Sequence, residues 1–167
     1  MSVYRTSKGR PASHCHLGHQ TDTCACCGLV DFTHAEVQQK RAYMAAHFPD
    51  AVEIHVPTRK YNCHGYTFAN SHGWFCDPDI FLADDFREVD MNSPKVNDVV
   101  IYRDEDQQIT HSGIVNEVLD GMIQTLRSKF GYLAAVIHPP DKVDPSWGSP
   151  AQLFRRPRSR RRTARRK

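Results

Sequence analysis

The sequence predicts an α+β domain, in which N-terminal helices pack on an antiparallel sheet of about four to six strands. Two observations lead to this class. Helix signals occur before residue 90, whereas apolar runs typical of strands dominate the chain after it. Short polar turns such as Asp120-Gly121 join consecutive runs, and hairpin turns of this kind make neighbouring strands antiparallel.

The first predicted helix spans residues 34–47. Asp31 or Thr33 can cap it, because short oxygen-bearing side chains accept hydrogen bonds from the free amides of a first turn, and Pro49 ends it. The other elements before residue 90 are a strand at 51–56, a helix at about 62–70 and a helical turn at 80–86.

The part of the chain after residue 90 holds five strand candidates, each bounded by turn residues. They span residues 98–103, 110–118, 122–127, 134–138 and 151–155. A polar loop at residues 104–108 joins the first two candidates, which favours a direct antiparallel connection between them.

The charge of the chain is divided between two regions. Of the 22 lysines and arginines, nine lie in residues 155–167, which leaves 13 against 19 acidic side chains and a charge of −6 for the first 154 residues. The 167 residues therefore suggest one domain at 31–155, preceded by a Cys/His-rich segment at 1–30 and followed by an Arg-rich tail at 156–167. Residues 1–13 are polar and are expected to lack fixed structure.

The chain offers no sequence signal for a membrane or for Sec export. No apolar run approaches the ~18 residues that cross a bilayer, and no apolar h-region follows the basic N-terminal residues. We expect a protein without a transmembrane segment that stays in the cytoplasm where it is made, unless a dedicated system exports it.

Cys63 and His111 are the candidate catalytic residues. Cys63 stands where a loop turns into a predicted helix, and the positive end of a helix dipole favours a thiolate. His111 begins an apolar strand just after a hairpin. A thiol facing an imidazole is the minimal machinery for attack on an acyl group, with the cysteine as nucleophile and the histidine as general base and acid.

Three nearby residues compete for these roles. His64 adjoins the cysteine, but consecutive helical residues point in different directions, so His64 should not act as its base. His72 lies just beyond the predicted helix and is less constrained. Cys76 follows an aromatic pair, where a cysteine can serve as a small buried hydrophobe.

Three motifs in a fixed order carry a family resemblance. They are Asn-Cys-His-Gly-x-Thr-Phe from residue 62, Asn-Asp-Val-Val-Ile-Tyr-Arg from residue 97 and Ile-Thr-His-Ser-Gly-Ile-Val from residue 109. Over about residues 35–155 the chain resembles the NlpC/P60 and CHAP group of papain-like cysteine amidases and peptidases. Asn97 departs from the pattern, because a glycine usually precedes Asp-Val-Val, and this difference affects a turn rather than the chemistry.

The resemblance implies a papain-like fold and a third polar residue that orients the imidazole from a following strand. His138 is the first candidate, because it ends an apolar strand. Ser128 is the second, because it follows the histidine hairpin. Asn116 ranks last, since its odd offset from His111 places it on the opposite face of a regular strand.

Members of this group cleave amide bonds, and the resemblance implies the same for this chain. The expected function is a hydrolase, either a thiol protease or an amidase, acting on a peptide, an isopeptide or a peptidoglycan-type amide without a catalytic cofactor. One alternative is a non-enzymatic module that binds nucleic acid or another partner. The other is an effector or toxin that uses the same dyad on a host protein.

The N-terminal segment contains six soft metal ligands within 13 residues. They are Cys15, His16, His19, Cys24, Cys26 and Cys27. Zinc takes four such ligands in a tetrahedron, and Cys15, His19, Cys24 and Cys27 form a feasible set for a structural zinc. The alternatives are a reactive segment without metal and a redox-active pair at Cys26 and Cys27.

The Arg-rich tail is too charged to fold by itself. Its arginines favour an anionic partner, which could be nucleic acid held through its phosphates, a membrane or an acidic protein. No aromatic residue lies in the tail, so the sequence does not support stacking on single-stranded bases.

Overall fold

A computed structural model describes residues 4–12 and 30–157 of the chain. The helices are α1 (His34–His47), α2 (Cys63–Phe68) and α3 (Asp79–Asp85). The strands are β1 (Val52–His55), β2 (Arg87–Val89), β3 (Val99–Arg103), β4 (Ile109–Leu119), β5 (Met122–Lys129), β6 (Ala135–His138) and β7 (Ser149–Arg155), and a 3₁₀ turn spans Pro145–Trp147. The α+β class is confirmed.

The strands form one antiparallel sheet in the order β1-β6-β5-β4-β3-β7-β2. This sheet has seven strands, one more than the upper end of the predicted range. The additional strand is β2, whose three residues pair with β7. An element of this length is too short for its alternation to be seen in the sequence.

Helix α1 has the predicted bounds, and Thr33 is its cap. The Thr33 side chain accepts from the Glu36 amide, while the Glu36 carboxylate accepts from the Thr33 amide, which is a capping box. Asp31 has a different partner, because its carboxylate accepts from the Thr58 hydroxyl at 2.7 Å and the Arg59 amide at 3.1 Å. Asp31 therefore holds the loop that leads into α2.

The two faces of the sheet carry separate apolar clusters. Helices α2 and α3 cover the face from which Val99 and Ile101 project. The alternate residues Val100 and Tyr102 project from the other face and join Val115, Leu126 and Leu153. Beside this second cluster, Met44 of α1 packs on Phe130, Ala134 and Val136.

Residues 4–12 pack on α3. The Thr6 hydroxyl donates to Asp84 at 2.5 Å, Arg10 forms an ion pair with Asp84, and Ala12 lies in the core. The Arg10 guanidinium beside Asp84 holds the pKa of that carboxyl well below its usual range. The expectation that residues 1–13 lack fixed structure is therefore wrong for residues 4–12, because their partner is distant in sequence and composition alone does not reveal it.

Two predicted features lie outside the described residues. These are the zinc ligands Cys15, His19, Cys24 and Cys27, and most of the Arg-rich tail. Within residues 4–12 and 30–157, no group of three or more His, Cys, Asp or Glu side chains is arranged to hold a metal ion. No helix in the same ranges is long and apolar enough to cross a membrane.

Candidate active site

Cys63 is the first residue of α2, as the sequence predicts. The capping residue Asn62 accepts from the amides of Gly65 at 2.9 Å and Phe75 at 3.3 Å through its side-chain oxygen. Its amide nitrogen donates to the Phe75 carbonyl at 2.7 Å. These buried bonds tie the start of α2 to the segment that follows the helix, and so fix the position of Cys63.

Replacing Asn62 with alanine removes all three bonds, and with them the side-chain cap of α2 and its connection to Phe75. We expect the free energy of unfolding to fall by about 2–3 kcal/mol, measured by urea denaturation. Asn92→Ala is the matched control, because within the described part of the chain the Asn92 side chain bonds to exposed Asp90 alone, and it should change stability by less than about 0.5 kcal/mol. Equal losses in the two variants would contradict this assignment.

Helix α2 lies on the face of the sheet from which Ser112 projects. The Ser112 hydroxyl is 2.9 Å from His64 Nδ1 and donates to the Thr67 hydroxyl at 3.1 Å. The ring of the neighbouring His111 points to the other face, where it stacks on Trp147 with centroids 4.2 Å apart. The helix and the imidazole thus approach β4 from opposite sides.

The sulfur of Cys63 lies against the peptide group that joins His111 to Ser112. The Ser112 amide is within hydrogen-bonding reach of the sulfur, as are the amides of His64 and Cys63 itself. His111 Nδ1 is buried and has no hydrogen-bond partner among residues 4–12 and 30–157. The predicted proton-sharing contact between the thiol and this nitrogen is therefore not formed in the resting geometry.

The expected activated thiolate is wrong for this resting geometry. Burial raises the pKa of the Cys63 thiol to about 11, an effect larger than that of the three amides that favour the thiolate. Burial also lowers the pKa of His111 well below its ordinary value, and His138 and His64 act in the same direction. Cys63 is only 7% exposed and His111 is fully buried, so the two groups form a neutral pair near pH 7.

A chain of hydrogen bonds runs from His111 across β5 to β6. His111 Nε2 is 3.1 Å from the Ser128 hydroxyl, which is 2.8 Å from His138 Nε2. His138 Nδ1 lies 2.7 Å from the Pro139 carbonyl. The two alternatives for the third catalytic residue, Ser128 and His138, are therefore successive members of one relay.

The relay determines which nitrogen of His111 carries the proton. A carbonyl only accepts, so His138 Nδ1 must donate to Pro139. Burial lowers the pKa of His138 to about 4, so its Nε2 is unprotonated and accepts from the Ser128 hydroxyl. The Ser128 oxygen then accepts from His111 Nε2, which leaves His111 Nδ1 with a free lone pair.

The other candidates lie outside this relay. Asn116 donates to the Thr125 hydroxyl at 3.0 Å, in agreement with its low rank. Burial lowers the pKa of His64 to about 4, and its Nδ1 faces Ser112 rather than the thiol. His72 is exposed, with Nδ1 near backbone carbonyls. Cys76 is exposed and disulfide-bonded, so its interpretation as a buried hydrophobe is wrong.

Lys129 is a candidate that the sequence analysis missed. Its side chain is fully buried, and Nζ donates to the carbonyls of Thr58 at 3.2 Å, Gly131 at 2.6 Å and Leu133 at 2.5 Å. These bonds join the loop before α2 to the β5–β6 turn. Burial lowers the pKa of Lys129 to about 7, and its positive charge in turn favours the Cys63 thiolate. A lysine at the end of a strand gives no sequence signal for burial.

The pH dependence of alkylation tests the protonation of Cys63. Iodoacetamide reacts with the thiolate, so labelling of Cys63 should rise about tenfold per pH unit up to its pKa of about 11. At pH 7, a pKa about two units above normal leaves roughly a hundredfold less thiolate. Peptide mass spectrometry measures the label at Cys63 separately from the other cysteines.

A matched pair of variants tests how Lys129 affects the pH dependence of Cys63 alkylation. Lys129→Met removes the cation, so the thiol pKa should rise and labelling should slow further, whereas Lys129→Arg keeps the charge and should label faster than Lys129→Met. A labelling rate that is already constant below pH 7 would reveal a thiolate–imidazolium pair and contradict the neutral state.

None of five surface cavities mapped in the described residues is lined by Cys63, His111, Ser128 or His138. A groove of about 560 Å³ approaches them, because its wall includes Phe130. The Phe130 ring contacts His111 with centroids 5.9 Å apart and His138 with centroids 4.9 Å apart. Because Cys63 is only 7% exposed, a substrate reaches the thiol only if the side chains that cover it move.

In comparisons with known proteins, no family model, curated protein or solved structure matches this chain. The relation to the NlpC/P60 and CHAP group therefore stays a prediction from the three motifs.

Proposed function

We propose that the protein is a cysteine-dependent amide hydrolase, with Cys63 as nucleophile and His111 as general base and acid. The supporting observation is the free lone pair on His111 Nδ1. Buried polar atoms nearly always have a hydrogen-bond partner, so an unpartnered one calls for an explanation. A proton acceptor held in one tautomer by Ser128 and His138, across β4 from a buried thiol, favours acyl-transfer chemistry.

The neutral pair defines the chemistry of the first step. At rest the two groups approach β4 from opposite sides, so the proposed first step requires a rearrangement of α2 and β4 that brings the Cys63 sulfur to His111 Nδ1. The sulfur then attacks the amide carbon while its proton passes to that nitrogen. The carbonyl becomes an oxyanion, which the first-turn amides of Cys63 and His64 can stabilise because they lack helical partners.

The second half of the reaction returns both groups to their starting state. His111 gives its proton to the leaving nitrogen, the C–N bond breaks and a thioester remains on Cys63. Water then loses a proton to His111 and attacks the thioester, which releases a carboxylic acid and restores the thiol. The three-motif resemblance favours amides of peptide or peptidoglycan type as substrates.

An activated acyl donor tests the proposal without knowledge of the substrate. Full-length protein mixed with p-nitrophenyl acetate should release p-nitrophenolate and gain one acetyl group on the peptide that carries Cys63, measured by absorbance and mass spectrometry. Cys63→Ser keeps the size of the side chain but lowers its nucleophilicity, and it should lose both signals. Acetylation confined to other residues would overturn the proposal.

Burial of the thiol favours the second candidate, a non-enzymatic binding module built on the same fold. In that case Cys63 is a core thiol and the relay only stabilises the sheet. The two candidates differ in one result of the acetylation experiment. A Cys63 that stays unmodified at every pH at which the protein is folded would favour the binding module.

A further inference from the structure

A cavity of about 960 Å³ lies where β7 leaves the sheet. We call it the basic cavity. The residues that line it are Arg87, Lys95, Val96, Asn97, Asp98, Arg155, Arg156 and Pro157. Four of these side chains are cations and one is an anion, so the cavity carries a net positive charge on a domain whose overall charge is negative.

The one carboxylate in the lining is already neutralised. Asp98 accepts from Arg155 Nε at 2.7 Å and Nη2 at 2.6 Å, and from the Lys95 amide at 2.8 Å. Its side chain is almost fully buried. Asp98 therefore fixes the rim of the basic cavity rather than repelling an anion that enters it.

The remaining cations of the cavity are open to a ligand. Arg87, Lys95 and Arg156 are exposed, and none of them forms an ion pair within residues 4–12 and 30–157. The Arg156 guanidinium lies over the Phe86 ring at 4.9 Å, which orients it without neutralising it. Exposed cations grouped without counter-ions attract anions from solution.

The sequence continues this charge beyond the cavity. After Pro157, residues 158–167 contain seven further arginines and lysines and no acidic residue. We propose that the basic cavity binds the phosphate backbone of a nucleic-acid strand. This proposal is independent of the hydrolase chemistry, because it uses no residue of the relay.

The composition of the surface favours nucleic acid over the other polyanions. Eight of the nine cations in residues 155–167 are arginines, whose planar forks bind phosphate oxygens in pairs. The tail has no aromatic or large aliphatic side chain to insert into a bilayer. A flat anionic membrane would also approach the acidic part of the domain, whereas a flexible strand can follow the basic path alone.

The same surface predicts binding without reading of the base sequence. Neither the lining of the basic cavity nor the tail contains an aromatic ring on which a base could stack. Contacts to phosphates fix the position of a strand but carry no sequence information. We expect affinities that depend strongly on salt and weakly on base composition.

Fluorescence anisotropy with a labelled oligothymidine of about 20 nucleotides tests the proposal on the full chain. The triple variant Arg87→Gln/Lys95→Gln/Arg156→Gln should bind about tenfold more weakly than the unmodified protein at low salt. Each lost phosphate contact on a single strand lowers the slope of log affinity against log salt by about 0.7, so the slope should fall by about 2.

A control triple variant removes the same charge elsewhere on the surface. Lys8→Gln/Lys60→Gln/Lys142→Gln should weaken binding by less than about twofold, because none of these side chains lines the cavity and each is already paired with a carboxylate. Thermal unfolding verifies that both triple variants are folded. Equal weakening in the two triple variants would show that only net charge matters. Unchanged binding in the cavity variant would assign binding to the tail alone. Either result overturns the proposal.

Parallel titrations with phosphatidylserine vesicles and with polyglutamate test the two other partner classes, a membrane and an acidic protein. The cavity triple variant should weaken binding to vesicles and to polyglutamate less than it weakens binding to oligothymidine. If it abolishes binding to vesicles or to polyglutamate and leaves oligothymidine binding intact, the surface recognises a membrane or an acidic protein and the proposal fails.

Discussion

Replacing His111 with glutamine is expected to slow acetylation of Cys63 by p-nitrophenyl acetate by about a thousandfold. The glutamine side chain can still donate a hydrogen bond toward Ser128, so the relay keeps a donor at that end. It has no basic nitrogen to replace the free Nδ1 lone pair. The variant also loses the ring contacts of His111 with Trp147 and Phe130, so the acetylation rate is compared at a temperature at which thermal unfolding shows the variant to be folded.

His64→Asn is the matched control, because His64 is also a buried histidine beside the thiol. Asparagine can keep the bond to the Ser112 hydroxyl, and His64 has no place in the relay. Its acetylation rate should stay within about threefold of the unmodified protein. If the two variants lose the same activity, or if His111→Gln loses none, then His111 is not the base.

The largest effect on stability is expected for Gly65→Ala. A Cβ at residue 65 would lie 2.0 Å from the Gly73 carbonyl oxygen and 3.0 Å from the His72 carbonyl oxygen, closer than packed atoms approach. Both contacts are to backbone, so α2 would have to move away from the segment that follows it. We expect a loss of about 3 kcal/mol or more in the free energy of unfolding, measured by urea denaturation.

Gly113→Ala is the matched control for this substitution. Gly113 lies in β4, and a Cβ there would meet its nearest neighbours, Leu126 and Ser128, at 3.4 Å, which is ordinary contact. Alanine also restricts the unfolded chain more than glycine does, so the change should lie within about 1 kcal/mol. If Gly65→Ala costs no more than Gly113→Ala, the close approach of α2 to residues 72–73 is not a constraint.

The local patterns of the sequence were sufficient to place the two principal candidates. The helix start at Cys63 and the strand at His111 depend on caps, turns and apolar runs within a few residues, and the structure has both. The bounds of α1 are predicted to the residue for the same reason. The sequence could not choose Thr33 over Asp31 as its cap, because the alternative partners of Asp31 lie almost 30 residues further along the chain.

The relay could not be predicted as a unit, because it depends on the register between strands. Ser128 and His138 come together because β5 and β6 pair Leu126 with His138 and Ser128 with Val136. A register shifted by one residue would turn one of the two side chains to the other face. From sequence they are alternatives, whereas in the structure they are successive members of one hydrogen-bonded chain.

The protonation state of Cys63 was mispredicted for a different reason. Helix position and neighbouring amides are visible in the sequence, but the depth at which the sulfur is buried is set by the packing of α2 on β4. Desolvation then outweighs the helix terminus. The buried Lys129 beside it was missed because lysine is rarely buried, and only the carbonyls of distant loops make its position favourable.

The ion pair between Arg155 and Asp98 has a consequence for the residues that follow it. It pins the last residue of β7 at the rim of the basic cavity, so the tail begins from a fixed point. Residues 158–167 follow this point in the sequence and contain seven cations, so their charge is attached directly beside the basic cavity. A strand bound in the cavity would meet those cations without a separate search through solution, because they are covalently attached beside it.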